Sequence, residues 1–438
     1  NKVVYQIFPS RFAATEPVDK ELWYKAPITP MDDLHGNLRG IIEHMDDIQN
    51  LGIDVLYMTP IFQSNSCHKY DTTDYYQIDP SFGTTEDLKE LVQKAHERGM
   101  KVVLDAVYNH TGREFFAFAD ILENGEKSKY RDWYFIDGFP LKSEWGEIPN
   151  FKCFGYYGGM PKLNLKNPEV EKYITDVACY WIKECDIDGW RLDVGDEISH
   201  FFWKNFRKAV KAVKKDMLII GEIWHYAGDF LEGDEWDTVM NYPFYLNLID
   251  LLADEKITVS QFVQNLGYLK GRLHKNCYPL MWNLIDSHDT ARFLHLCNDN
   301  KKKQHLAAAF QLLLPGMPMI YYGDEYAMPG ANDPDCRRGM YWDEEYQDKE
   351  MYEWYKRLIQ VRKSHACIVE GELAGSVTED EEGTVVLIRK NGEETIAMIF
   401  NCSSSAKKFN EYTQKYNLLT ENTFDGNVEG FDAAVIVL

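Results

Sequence analysis

Four short segments of this chain carry the side chains best suited to chemistry: Asp105-Ala106-Val107-Tyr108-Asn109-His110, Gly189-Trp190-Arg191-Leu192-Asp193, Gly221-Glu222-Ile223-Trp224-His225 and Asp286-Ser287-His288-Asp289. Each is a polar cluster at the end of an apolar, β-rich run. Arg191 and Asp193 are two residues apart, so they share one face of a strand with Leu192 on the other. If the runs are parallel strands of one barrel, the carboxylates of Asp193, Glu222 and Asp289 meet at its mouth from three different strands. Acids crowded in a cleft do not all ionise freely. One pKa rises and that group becomes a proton donor, while an arginine beside Asp193 favours its ionised form. One carboxylate that attacks and one that donates a proton is the division of labour that cleaves a glycosidic bond. A lone strand-end aspartate is usually an ion pair or a cap at a loop start; four such clusters at successive strand ends reverse that balance.

The elements that must position these groups can be read from hydrophobic pattern. β-rich runs recur over residues 3–7, 55–58, 102–105, 189–193, 218–221, 238–240, 280–285 and 319–322, eight in all. Helical patterns lie between several of them. Thr84 opens one as a cap, with Leu88, Leu91, Val92 and Ala95 at helical spacing before Gly99. Asn167-Pro168 opens another, carrying Val170, Ile174, Val177, Ala178 and Trp181 on one face. A third runs from Lys301 to Leu314 and stops at Pro315-Gly316. Strands alternating with helices imply a parallel sheet, and eight units predict an α/β fold of the (β/α)₈ TIM-barrel type, with a doubly wound open sheet as the alternative.

Two stretches break the rhythm. The interval from Asp105 to Gly189 far exceeds the ~30 residues of one βα unit. Its excess, rich in Phe, Tyr, Trp and Gly without clear periodicity, reads as a subdomain inserted after the third strand at the C-terminal rim. Near the end, residues 384–388 and 395–400 flank Asn391-Gly392, a hairpin signal. The expected organisation is a barrel over residues 1–110 and 164–363, an inserted subdomain over 111–163 and an antiparallel β-domain over 364–438.

Composition narrows the classes of partner. The chain has 438 residues, 45% hydrophobic and 27% charged, the balance of a globular protein with ample core. Its net charge of −23 repels phosphate backbones and anionic lipid, which argues against nucleic acid and membrane as partners. No apolar run approaches the ~18 residues of a membrane span. Nine scattered cysteines without a CxxC pair read as reduced thiols, not a disulfide framework or zinc site. A cytoplasmic location is expected, with secretion after removal of a leader the alternative, since the sequence opens at Asn1.

The four segments resemble, in order and with compatible spacing, the signature regions of the α-amylase family of glycoside hydrolases. The resemblance runs from Tyr5-Gln6-Ile7-Phe8-Pro9 through Tyr322-Gly323-Asp324-Glu325 and takes in the whole chain. A fifth segment, Met160-Pro161-Lys162-Leu163-Asn164, is similar to the neopullulanase, cyclomaltodextrinase and maltogenic amylase subgroup. So are Glu222-Ile223-Trp224-His225 and Asn332-Asp333-Pro334-Asp335-Cys336-Arg337. The resemblance implies a retaining hydrolase of α-1,4-glucosidic bonds in maltooligosaccharides, cyclodextrins or starch. The alternatives are a glucanotransferase, an α-1,6-acting relative or a glucan-binding protein without activity.

By the same resemblance, Asp193 is the nucleophile, Glu222 the general acid and then base, and Asp289 a stabiliser of the transition state. Arg191 orients Asp193, with Asp105 buttressing it from the interior. His110 and His288 hydrogen-bond sugar hydroxyls, and Tyr70 stacks under the reacting sugar or is simply a loop aromatic. Trp224 is a leaving-side contact or a packing residue. Asp333 and Arg337 clamp sugars on the non-reducing side or form a surface ion pair. Three departures stand out. Val194-Gly195-Asp196-Glu197 replaces the subgroup's usual Val-Ala-Asn-Glu, which bears on the acceptor side. The subgroup's N-terminal β-domain is missing from these residues, which favours a monomer over its usual dimer. Phe12-Ala13-Ala14-Thr15-Glu16-Pro17 replaces an oxygen-rich calcium loop, so no metal or other cofactor is expected to be required; calcium is possible, with Asn109 the residue that offers it an oxygen elsewhere.

Overall fold

A computed structural model describes residues 2–142, 147–274 and 276–438. Eight strands are arranged around one axis: β1 (Val4–Ile7), β2 (Val55–Met58), β3 (Lys101–Ala106), β4 (Gly189–Leu192), β5 (Leu218–Gly221), β6 (Thr238–Val239), β7 (Trp282–Asn283) and β8 (Met317–Tyr321). All pair in parallel, in the order β6-β5-β4-β3-β2-β1-β8-β7. A parallel bridge between Met240 and Trp282 joins the two ends of that order. The ring is closed, as a (β/α)₈ barrel requires and a doubly wound sheet does not.

Period-two alternation divides each strand between two cores. Val4, Val55, Tyr57, Val103, Ile220, Trp282 and Met319 fill the barrel interior as one apolar cluster. Their neighbours Tyr5, Leu56, Val102, Leu104, Trp190, Ile219 and Ile320 join the larger core that packs against the helices. One step of two residues further along, the interior sequence becomes Gln6 after Val4, Asp105 after Val103 and Glu222 after Ile220. The same alternation that builds the core thus sends polar groups to the C-terminal mouth.

The surrounding helices follow the sequence signals. Thr84 and Asp87 form a reciprocal capping box on Thr85–Glu97, whose Leu88, Leu91, Val92 and Ala95 are buried. Asn167 caps Pro168–Cys185. Helix Lys301–Leu313 is buried on almost every side because it lies between the barrel and a second sheet. That sheet is antiparallel and has Glu372–Glu379, Thr384–Asn391, Glu394–Asn401 and Asp432–Val437 in sequence across it, followed by Tyr416–Asn417 and Asn422–Thr423. The predicted hairpin forms with its turn at Gly392-Glu393, one residue beyond Asn391-Gly392, since Asn391 pairs with Glu394; Gly392, at φ +61°, supplies the first turn residue.

The barrel departs from the sequence reading in one strand and one added hairpin. The run over 280–285 pairs only at Trp282–Asn283, because Tyr278–Leu280 is a 3₁₀ turn containing Pro279. Leu284 and Ile285 are buried by packing instead. A hairpin of Phe62–Ser64 and Thr72–Ile78, absent from the sequence reading, stands beyond β2. The described residues of the insert, 111–142 and 147–163, hold helix Phe116–Asn124 and little other regular structure. Among these residues the buried aromatics are Phe115, Phe118, Trp133, Tyr134 and Phe151, with Phe118 packed edge-on against Tyr134 and tilted against Phe151. The antiparallel bridge His110–Lys162 ties the insert to the barrel rim, and the bridge Tyr134–Leu163 lies within it. All nine cysteines are free thiols. Among the described residues no helix is long and apolar enough to cross a membrane.

Candidate active site

The carboxylates converge on one guanidinium. Arg191, fully buried, reaches Asp105 at 3.0 Å and Asp193 at 2.9 Å through Nη1, and Glu222 at 2.9 Å through Nη2. Asp289 stands further out, 3.9 Å from Nη2. A planar fork fixed at its base by Asp105 is therefore the template on which Asp193 and Glu222 are set side by side. Tyr57 donates to Asp105 at 2.7 Å and locks that base in turn.

Val194 adds a second restraint. It takes a left-handed backbone, φ +47°, rare for a β-branched residue, and its N–H donates to Glu222 Oε2 at 2.9 Å. On the other side, Trp224 Nε1 lies 3.3 Å from Glu222 Oε1. Trp224 stacks one face on Tyr242 at 4.1 Å, remains 43% exposed and lines the cleft.

The remaining predicted residues divide between wall and support. A cavity of about 400 Å³ is lined by Tyr70, His110, Asp193, Glu222, Trp224, Asp289, Asp333 and Arg337, and also by His68, Phe154, Met160 and Val194. Arg337 pairs with Asp333 at 2.8 Å and with Asp289 at 3.4 Å, so the pair four residues apart belongs to the cleft wall. His288 does not line the cavity. It lies beneath, with Nδ1 2.7 Å from Gln6 Nε2 and Nε2 2.5 Å from the Tyr70 hydroxyl and 3.2 Å from Asp289. Its ring is parallel to that of Tyr70, so in this arrangement it supports Tyr70 and Asp289 from below. His110 contacts the Tyr70 carbonyl at 3.1 Å and stacks on Phe154.

Electrostatics follow from burial. Asp193 is pushed well above the usual carboxylate range by burial; Arg191 opposes this, and Glu222, Asp105 and Asp289 add to it. Glu222 is likewise raised by burial and by Asp289, against Arg191 and the Val194 and Trp224 hydrogen bonds. The sequence expectation that Arg191 holds Asp193 ionised thus meets a larger opposing effect, desolvation. Asp105, Asp193 and Glu222 titrate as a cluster that retains a proton to higher pH than free carboxylates do. Burial holds His110 down at about 4 and keeps His288 well below the usual imidazole range, so both rings are neutral near pH 7.

Asn109 accepts a hydrogen bond from the Lys162 ammonium, which also pairs with Glu197 at 2.8 Å. Among the described residues there is no group of three or more His, Cys, Asp or Glu side chains that could hold a metal ion. Sequence reasoning passed over Gln6, Tyr57, Tyr242 and Phe154 as site residues. The period-two step from Val4 to Gln6 and from Val55 to Tyr57 was the signal available for the first two.

A closed (β/α)₈ barrel with three convergent acids on an arginine at its C-terminal mouth defines a glycoside hydrolase site. The chain belongs to the α-amylase family: the family's catalytic domain matches residues 6–371. It is 47% identical over 408 residues to a cyclomaltodextrinase of Geobacillus thermopakistaniensis, covering 92% of this chain and 69% of the relative. It is 43% identical to neopullulanase 2 of Thermoactinomyces vulgaris, covering 91% of this chain and 69% of that one. Among solved structures, the cyclic α-maltosyl-(1→6)-maltose hydrolase of Arthrobacter globiformis superposes with a TM-score of 0.90 at 35% identity, over 100% of this chain and 98% of its own.

Proposed function

We propose that this protein is a retaining hydrolase of α-1,4-glucosidic bonds in cyclodextrins, maltooligosaccharides or starch. The observation that carries the reading is the pair Asp193 and Glu222, set by one buried guanidinium at the edge of the cavity. Asp193 attacks the anomeric carbon as Glu222 protonates the departing glycosidic oxygen, which leaves a glycosyl ester on Asp193. Glu222, now a carboxylate, takes a proton from water; that water attacks the same carbon and frees Asp193, and two inversions give retention. Asp289, held by Arg337, binds hydroxyls of the sugar at the reaction centre, and its charge favours the oxocarbenium-like transition state. Tyr70 is the surface under that sugar, His110 a neutral hydroxyl partner, and Asp333 and Arg337 the clamp beyond it. No step is assigned to a metal; the Asn109 oxygen that the sequence offers to calcium accepts from the Lys162 ammonium.

A timed product profile on β-cyclodextrin, maltotriose, soluble starch and pullulan tests this. Ring opening and release of short maltooligosaccharides are expected from the wild type. Asp193→Asn and Glu222→Gln are each expected to lose roughly 10²–10⁴-fold or more. Near-wild-type hydrolysis by both variants would sink the assignment. The similarity to the cyclic α-maltosyl-(1→6)-maltose hydrolase over almost the whole of that protein favours a second reading, action on α-1,6 bonds. Release of maltotriose from pullulan faster than opening of β-cyclodextrin would select it.

A further inference from the structure

We infer that the leaving-group side of the cleft continues into a second, aromatic groove that holds the distal, reducing-side units of a long glucan. The groove, about 430 Å³, lies between helices Tyr242–Leu248 and Val259–Arg272. Trp224 lines both this groove and the catalytic cavity. Because the same indole N–H contacts Glu222, the proposed proton donor, the groove opens on the side to which the protonated sugar departs. This inference rests on that role for Glu222.

The lining is of the kind a pyranose chain fits. Tyr268 is 66% exposed and Leu246 45%, flat apolar surface that the fold does not cover. The Arg272 guanidinium lies 3.9 Å from the centre of the Tyr226 ring and 5.2 Å from that of Tyr268, joining the two rings into one ledge. Tyr226 donates to the Arg272 carbonyl at 2.8 Å, which fixes its end of the ledge to the helix terminus. Sugar rings offer apolar faces to such a ledge and hydroxyls to the polar residues beside it, here Asn265 and Asp250. A chain-shaped neutral ligand that already passes Trp224 is the occupant this continuity selects.

The test compares maltotriose, which on this inference leaves the ledge empty, with maltoheptaose in wild type, Tyr268→Ala and Tyr268→Phe. Tyr268→Ala is expected to raise KM for maltoheptaose roughly five- to tenfold with kcat little changed. The maltotriose constants stay with the wild type, and Tyr268→Phe, which keeps the ring, restores maltoheptaose. No change on maltoheptaose, or an equal change on both substrates, overturns the inference. Binding of the same two oligosaccharides to the Glu222→Gln chain, with and without Tyr268→Ala, separates the two claims. If the wild type hydrolyses neither substrate, the proposed function fails. The groove then stands only if Tyr268→Ala weakens maltoheptaose binding by the same factor while leaving maltotriose alone.

Discussion

At Arg191 one guanidinium answers Asp105, Asp193 and Glu222 within 3.0 Å, and that shared contact governs both geometry and titration. Burial raises Asp193 and Glu222 together, so the singly protonated cluster that hydrolysis needs persists to higher pH than isolated carboxylates would allow. A bell-shaped kcat/KM profile is predicted, with its alkaline limb above the ~4.3 of a free glutamate. The Trp224 hydrogen bond stabilises ionised Glu222 and lowers its pKa. Trp224→Phe removes that donor, so Glu222 holds its proton longer and the alkaline limb should move to higher pH; a shift to lower pH would contradict the arrangement. The spacing of Arg191 and Asp193 on one strand face, and the convergence of the acids, were legible because period two is a local property. The burial of His288 was not. Its partners Gln6 and Tyr70 are distant in the chain, and only closure of the barrel between β8 and β1 brings them together.

At the scale of elements, β5 and its C-terminal end position the acid. Gly221 precedes Glu222, and a Cβ there would lie 2.2 Å from Trp236 Cε3, a buried ring stacked at 4.0 Å on Phe230. Gly221→Ala is therefore expected to push the strand end outward, costing about 1–3 kcal/mol. Thermal melting should show a lowered Tm and kinetics a loss of kcat together; retention of both would mean that the strand end has slack. Helices Thr85–Glu97 and Pro168–Cys185 were readable because caps and 3.6 periodicity agree. The hairpin of Phe62–Ser64 and Thr72–Ile78, whose connection carries Tyr70, was not. Its first strand has three residues and its pairing is interrupted twice by register shifts, which erases the alternation that marks a strand.

For the whole molecule, the second sheet and the barrel share one core across helix Lys301–Leu313. Phe310 of that helix stacks on Phe400 of the sheet at 4.2 Å, and both rings are fully buried. Arg362, also fully buried, donates to the carbonyls of Leu312 and Leu314 at the end of the same helix. Phe400→Ala is predicted to cost ~3–5 kcal/mol, read as a lower denaturation midpoint of the barrel signal itself. Separate unfolding of the sheet with an unchanged barrel midpoint would contradict a shared core. The β-character of this region was plain from the residues around Asn391-Gly392. Its docking was not, because a helix buried at every position from Leu306 to Leu313 presents no single apolar stripe to read.

The Glu222→Gln chain given α-maltosyl fluoride separates the two carboxylates' roles. Fluoride leaves without a proton, so the first displacement proceeds without the acid, while the second is slow for want of a base. Peptide mapping by mass spectrometry should find a maltosyl group on Asp193, and none when Asp193→Asn is added. A label on any other residue, or none while the wild type turns over the same fluoride, would contradict the assignment of Asp193 as nucleophile and Glu222 as acid and base.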